Sequence, residues 1–245
     1  MDKNLLAMLE FLKIKGLCEE WDALVAHGER EKFGHEKFLC HVVTVLFHAR
    51  QAYSFEMRLK RASIPEILVM ATYPFTEQPR LDRARVMNLY DSFTYMSKKQ
   101  SLAFLGPTGV GKSGLGTAFL VGAIERGCTG RFIVFVDLLQ KLNRAIATGE
   151  EQRMLKNFAS YDCLLIDEIG YVEVESAQVG LFFRLMSMRH RKKTTIITSN
   201  LGFQQWGSFL KNAHLTAALI ERLTSNAHVF NMKDCTSIRP QPIVT

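Results

Sequence analysis

Residues 102–113 read LAFLGPTGVGKS, an apolar run that stops at Gly106 and is followed by Gly111, Lys112 and Ser113. Gly106, Pro107, Thr108, Gly109, Val110, Gly111, Lys112 and Ser113 fit the pattern G-x-x-x-x-G-K-[ST]. A strand before this pattern and a helix after it make the context in which it binds phosphate. The glycines let the backbone wrap a phosphate with its N–H groups, and the start of the next helix adds its positive dipole. Lys112 is then placed to reach the β- and γ-phosphates, and the Ser113 hydroxyl to ligate Mg²⁺.

A phosphate loop needs a second magnesium partner, an acid at the C-terminal end of another apolar strand. Residues 163–168, CLLIDE, supply it. Asp167 is expected in the Mg²⁺ shell, and Glu168 is placed to orient and polarise an attacking water. That acid separates a hydrolase from a small-molecule kinase, which excludes water and carries an arginine-rich lid that this chain lacks. Asn200 ends the run TTIITSN and is expected beside the γ-phosphate. Arg222, in LIERLTSN, is either an arginine finger for a neighbouring subunit's nucleotide or an ordinary surface arginine. Arg239 is a weaker candidate for a phosphate contact in cis. Tyr73 and Phe75 precede the loop, where they pack on the base or fill a domain junction.

From Leu102 onward short apolar strands alternate with helices. Strands are expected at LAFL, RFIVFVD (131–137), CLLID (163–167), TTIITS (194–199) and HVFNM (228–232), with helices near 112–126, 138–158, 176–191 and 213–225. This predicts a five-stranded parallel sheet covered by helices on both faces, with the fourth strand between the first and third. The glycines at 114, 116 and 122 weaken the first of these helices by up to ~1 kcal/mol each, so packing compensates or they allow close approach to a neighbour.

Residues 4–62 look helical throughout: one helix ended by Gly16, a short second one broken by the HGEREKFGH stretch, and a third running to about Lys60. Pro65, Pro74 and Pro79 mark residues 63–80 as a linker, and a helix near 81–97 leads into the sheet region. The expected domains are therefore a helical one at 1–65, a linker and leading helix at 66–98, and the nucleotide domain at 99–245. With 47% hydrophobic and 22% charged residues the composition fits a soluble globular chain. No apolar run approaches the ~18 residues needed to span a bilayer, and the first residues read as an amphipathic helix, not an export signal. The expected compartment is the cytoplasm. Five scattered cysteines without a CxxC pair point away from a disulfide framework, and His35, Cys40, His41 and His48 match no ligand spacing.

GPTGVGKS, LLIDEIGY, IITSNLGFQQWG and FTEQPRLDRARVMNLYDSF together resemble the IstB-like ATP-binding proteins, AAA+ helper ATPases of insertion-sequence transposition related to the DnaC-type helicase loaders. The resemblance covers nearly the whole chain. It implies ATP binding, a P-loop AAA+ domain behind a small helical domain, and homo-oligomers around duplex DNA with little sequence preference. It also implies a partner transposase and control of target choice by ATP turnover. Arg222 falls where the family has its inter-subunit arginine. Arg239 falls near a late family arginine, in surroundings that fit poorly. A replicative helicase loader, or a DNA-binding scaffold in which ATP only drives assembly, are the rival readings.

The net charge is +7 and the pI about 9.2, a push toward polyanions. Two basic clusters are candidates for DNA phosphates: Arg184, Arg189, Arg191, Lys192 and Lys193, and Arg50, Arg58, Lys60 and Arg61. The first also suits a solvated helix end, where cations favour the dipole.

Overall fold

The computed structural model describes residues 2–12, 14–171 and 174–238. Arg239 lies outside the described residues. The chain falls into two compact units, divided between Met57 and Arg58.

The first unit holds α1 (Lys3–Phe11), α2 (Lys15–Arg30) and most of α3 (His35–Ala62). Gly16 does not end a helix. The Ile14 N–H donates to the Leu9 carbonyl at 3.0 Å, so the turn closes earlier and Gly16 becomes the second residue of α2. That helix also runs further than expected, through His27 to Arg30. The break comes at Lys32, which takes φ 51°, while Phe33 N–H returns to the Gly28 carbonyl. The unit buries little: Leu9 and Leu24 are inside, whereas Phe11, Leu39, Val43 and Phe47 are exposed.

In the second unit two short 3₁₀ turns, Met70–Thr72 and Phe75–Glu77, lie in the proline-rich stretch. α4 (Arg83–Ser92) starts at a side-chain cap, Asp82 accepting from the Arg85 N–H at 2.9 Å. The helix expected over 81–97 divides at Phe93, whose φ is 56°, and α5 (Thr94–Ser97) follows. Then come β1 (Ser101–Leu105), α6 (Lys112–Glu125), β2 (Gly130–Val134), α7 (Phe135–Thr148), α8 (Glu151–Ser160) and β3 (Cys163–Ile169). α9 (Ser176–Arg189), β4 (Thr194–Ser199), α10 (Trp206–Leu210), α11 (Ala213–Thr224) and β5 (Ala227–Asn231) complete it. The second strand is shorter than RFIVFVD suggests, because α7 begins directly at Phe135. The helix expected over 138–158 is two helices, separated at Gly149 in the left-handed region (φ 69°).

The strands form one parallel sheet in the order β2-β3-β4-β1-β5. Alternate side chains serve opposite faces. Ala103, Leu105, Leu164, Ile166 and Ile197 join the cluster with α7, α9, α10 and α11, around Phe135, Phe182 and Trp206. On the other face, Phe104 packs against Phe119 of α6. Because both faces are covered, the strands read as unbroken apolar runs. α6 is buried almost all round, and its glycines serve close packing. A Cβ at Gly122 would lie 2.5 Å from the Tyr90 ring, and one at Gly116 would lie 3.0 Å from Leu165.

Candidate nucleotide site

The site forms where β1, β3 and β4 end, the edge at which parallel sheets flanked by helices bind ligands. The chain leaves β1 at Gly106, whose N–H donates to the Ser199 carbonyl of β4 at 3.1 Å. A Cβ there would come within 2.8 Å of the Met232 backbone. Gly111, at φ 88°, needs its missing side chain twice over: the backbone is left-handed, and a Cβ would lie 2.6 Å from the Tyr73 hydroxyl. The loop is braced from outside. Ile238 N–H donates to the Gly109 carbonyl at 3.0 Å, and Gln78 Nε2 to the carbonyls of Val110 and Thr236 at 3.3 and 2.6 Å. Lys112 is 8% exposed, and its Nζ donates to the Pro107 carbonyl at 2.7 Å.

The acids come from a flaw in β3. The ladder to β4 pairs Ile166 with Ile197 and next pairs Ile169 with Ser199, so Asp167 and Glu168 together oppose the single residue Thr198. This is a bulge, a device that re-aims side chains. Glu168 takes φ 61°, and its N–H, out of the ladder, donates to Thr198 Oγ1 at 2.9 Å. Asp167 is buried, and its Oδ1 accepts from Ser113 Oγ at 2.9 Å and from the Thr198 hydroxyl. Ser113 and Asp167 thus meet as a pair of hard oxygen donors of the kind Mg²⁺ takes.

A pocket of about 350 Å³ is lined by Val69, Tyr73, Lys112, Ser113, Glu168 and Asn200, among others. Asn200 Oδ1 is buried and has no hydrogen-bond partner among the described residues. A buried amide oxygen left without a donor calls for a partner that a bound molecule can supply. Thr108 Oγ1 and the Tyr171 hydroxyl lie 2.8 Å apart across the mouth. Tyr73 joins the wall, while Phe75 packs edge-on behind it at 4.8 Å and does not line the pocket. Burial pushes the Tyr73 phenol well above its ordinary range, so it stays neutral. The residues present therefore fit a nucleoside triphosphate with Mg²⁺: a glycine cradle, a lysine, two magnesium donors and a free acid.

The remaining candidates lie elsewhere. Arg222 does not line this pocket; its guanidinium sits 4.5 Å over the Phe183 ring, and Nη1 donates to the Ala218 carbonyl at 3.1 Å. Arg189 is a correction. It is 1% exposed, so it is unavailable to DNA. Its guanidinium donates to the carbonyls of Phe158, Ala159, Tyr161 and Thr194 and to Thr195 Oγ1. It ties the end of α8, where carbonyls lack helical partners, to β4. Burial lowers its pKa to about 10, which leaves it charged. Lys193 is engaged too, donating to Asp162 Oδ1 at 2.6 Å. Arg184, Arg191 and Lys192 are exposed. In the other cluster Arg50 and Lys60 are exposed, as is Arg61, and Arg58 Nε donates to the Ile124 carbonyl at 3.4 Å. Arg50 belongs to the first unit and the other three to the second. Sequence reading missed a hollow beside α7 and α8 lined by Arg131, Lys141, Arg144 and Arg153, with Glu150 as its one acid. These cations are scattered over 23 residues of chain, so no run of charge announces them.

Among the described residues no helix is long and apolar enough to cross a membrane. The chain is 30% identical over 226 residues to the insertion sequence IS21 ATP-binding protein of Pseudomonas aeruginosa, covering 92% of this chain and 85% of that one. It is 29% identical over 222 residues to the IS5376 ATP-binding protein of Geobacillus stearothermophilus, covering 91% and 88%. Among solved structures it is similar to DnaI (TM-score 0.54, 20% identity, 61% of this chain and 84% of that one). It is also similar to the DnaC helicase loader (TM-score 0.50, 24% identity, 61% and 87%). These structural likenesses carry the P-loop AAA+ fold. The family profile described as IstB-like ATP binding protein matches residues 7–242, so the chain belongs to the IstB-like ATP-binding proteins.

Proposed function

We propose that the protein is an ATP-dependent, DNA-binding regulator of insertion-sequence transposition. It assembles on duplex DNA as an ATP-bound oligomer, hydrolyses ATP, and cooperates with a partner transposase in target selection, in the cytoplasm. The observation that carries the reading is the bond from Ser113 to the buried Asp167, directly behind the pocket that Ser113 lines with Lys112, Glu168 and Asn200. Mg²⁺ held by Ser113 and Asp167 supplies charge neutralisation at the phosphates. Lys112 binds the β- and γ-phosphates, Glu168 orients the attacking water and takes its proton, and Asn200 contacts the γ-phosphate. Arg222, off its own chain's pocket, acts on a neighbouring subunit's nucleotide, and Arg239 contacts phosphate in cis. Arg184, Arg191 and Lys192, with Arg50, Arg58, Lys60 and Arg61 and the basic hollow at Arg144, meet DNA phosphates without reading bases.

Sedimentation on long duplex DNA tests this. ATP should drive assembly, ADP should not, and Glu168→Gln should stay assembled in ATP. Equal assembly with and without nucleotide refutes the switch. A preference for single strands transfers the reading to a helicase loader.

A further inference from the structure

The bulge in β3 has one residue opposite it, and that residue is Thr198. It is fully buried, in a strand whose next residues inward are Ile197 and Ile196. A valine would fill the same volume there, so packing alone does not ask for a hydroxyl. The hydroxyl makes two bonds, and they end on consecutive acids. It donates to Asp167 Oδ1, and it accepts from the Glu168 N–H at 2.9 Å. The first bond falls on the same oxygen that Ser113 Oγ reaches at 2.9 Å. The second takes up a backbone donor that the bulge removed from the ladder and holds Glu168 at φ 61°, where side-chain-bearing residues rarely sit. That backbone turn is what brings Glu168 to the pocket while Asp167 stays buried.

The geometry points to Thr198 as a positioning residue. Its hydroxyl closes the bulge and sets the magnesium-side acid, Asp167, and the water-side acid, Glu168, in one fixed relation. This rests on the ATPase reading above, and it adds that one buried hydroxyl couples the two acids.

The test compares Thr198→Val, which keeps the shape, with Thr198→Ser, which keeps the hydroxyl, in the full-length protein. Melting temperature verifies that both fold. Two quantities are then read: the magnesium concentration for half-maximal binding of mant-ATP, and kcat against KM for ATP. Thr198→Val should raise the magnesium requirement about tenfold, the size typical for a lost outer-shell partner. It should also lower kcat about 10- to 100-fold with KM nearly unchanged, as misplacement of a reacting group does. Thr198→Ser should stay within about threefold of the parent on both, since the hydroxyl geometry survives. Wild-type behaviour of the valine variant overturns the proposal, as does a serine variant equally impaired. A loss confined to one quantity overturns the coupling. If the parent protein hydrolyses no ATP, the ATPase reading fails, and the magnesium requirement alone decides the role of Thr198.

Discussion

Two buried charges, one on β3 and one at the end of α9, meet the same sheet and do opposite things. Asp167 and Arg189 are 5% and 1% exposed, and each collects several hydrogen bonds. Asp167 is met by the hydroxyls of Ser113 and Thr198, two residues that line the pocket with Lys112, Glu168 and Asn200, whose Oδ1 is unpaired among the described residues. Arg189 is met by four carbonyls and a hydroxyl, and it closes the end of α8 onto β4. A buried charge costs free energy wherever it sits, so each needs a compensating network. The network that leaves a neighbour unsatisfied toward a cavity is the one we propose to bind nucleotide, and the network that satisfies itself serves packing.

The comparison breaks first at Glu168. Replacing it by Gln should lower kcat about 10²- to 10⁴-fold, the usual worth of a general base. Nucleotide affinity should hold, and single-turnover hydrolysis with a parallel binding titration reads both. If kcat survives, the pocket side of the comparison is wrong. At the sealed site, Arg189→Met should remove about 3 kcal/mol or more of stability, because the carbonyls it serves stay buried without donors. That corresponds to a fall of about 6–12 °C in melting temperature for a chain of this size. Nucleotide affinity in the cold should be unchanged. A folded Met variant with normal stability but weak DNA binding would restore Arg189 to the DNA surface. Lys112→Ala should weaken ATP binding about 100-fold, with little change in melting temperature, as expected for a lost charge-assisted phosphate contact. Calorimetric titration measures it.

The smallest effect lies at Asp162, the half-buried counterpart of these networks. Burial raises its pKa, but the bonds from Lys193 and Thr129 outweigh burial and bring it to about 2. A depressed carboxylate stabilises the fold above its ordinary value near 3.8, and that stabilisation is lost as pH falls toward about 2. Asp162→Asn should therefore cost about 1 kcal/mol at neutral pH after solvent screening. The gap between variant and parent should shrink between pH 4 and pH 2, as followed by urea unfolding. A gap that is constant across this range would mean the ion pair contributes nothing.

The candidate nucleotide site was legible in the sequence because a phosphate loop dictates backbone geometry. Glycines at fixed spacing, a lysine and an acid after an apolar run have few other uses, and the fourth strand lies between the first and third as expected. The charge run at 189–193 was not legible in the same way. A lysine or arginine count carries no direction, and here Arg189 is turned inward and Lys193 is spent on Asp162. Breaks that rest on one residue's backbone also escaped: Phe93 and Lys32 take positive φ without being glycine, and the start of α7 directly after Val134 has no punctuation in RFIVFVD. The bulge at Asp167 and Glu168 escaped too, because two acids in a row look the same whether the strand is regular or not.

Steady-state ATP hydrolysis, measured with and without long duplex DNA at low and moderate salt, tests the central claim most directly. Stimulation by duplex that fades as salt rises is the predicted result, since the proposed DNA contacts are all to phosphates. Hydrolysis indifferent to duplex at every salt concentration would contradict it.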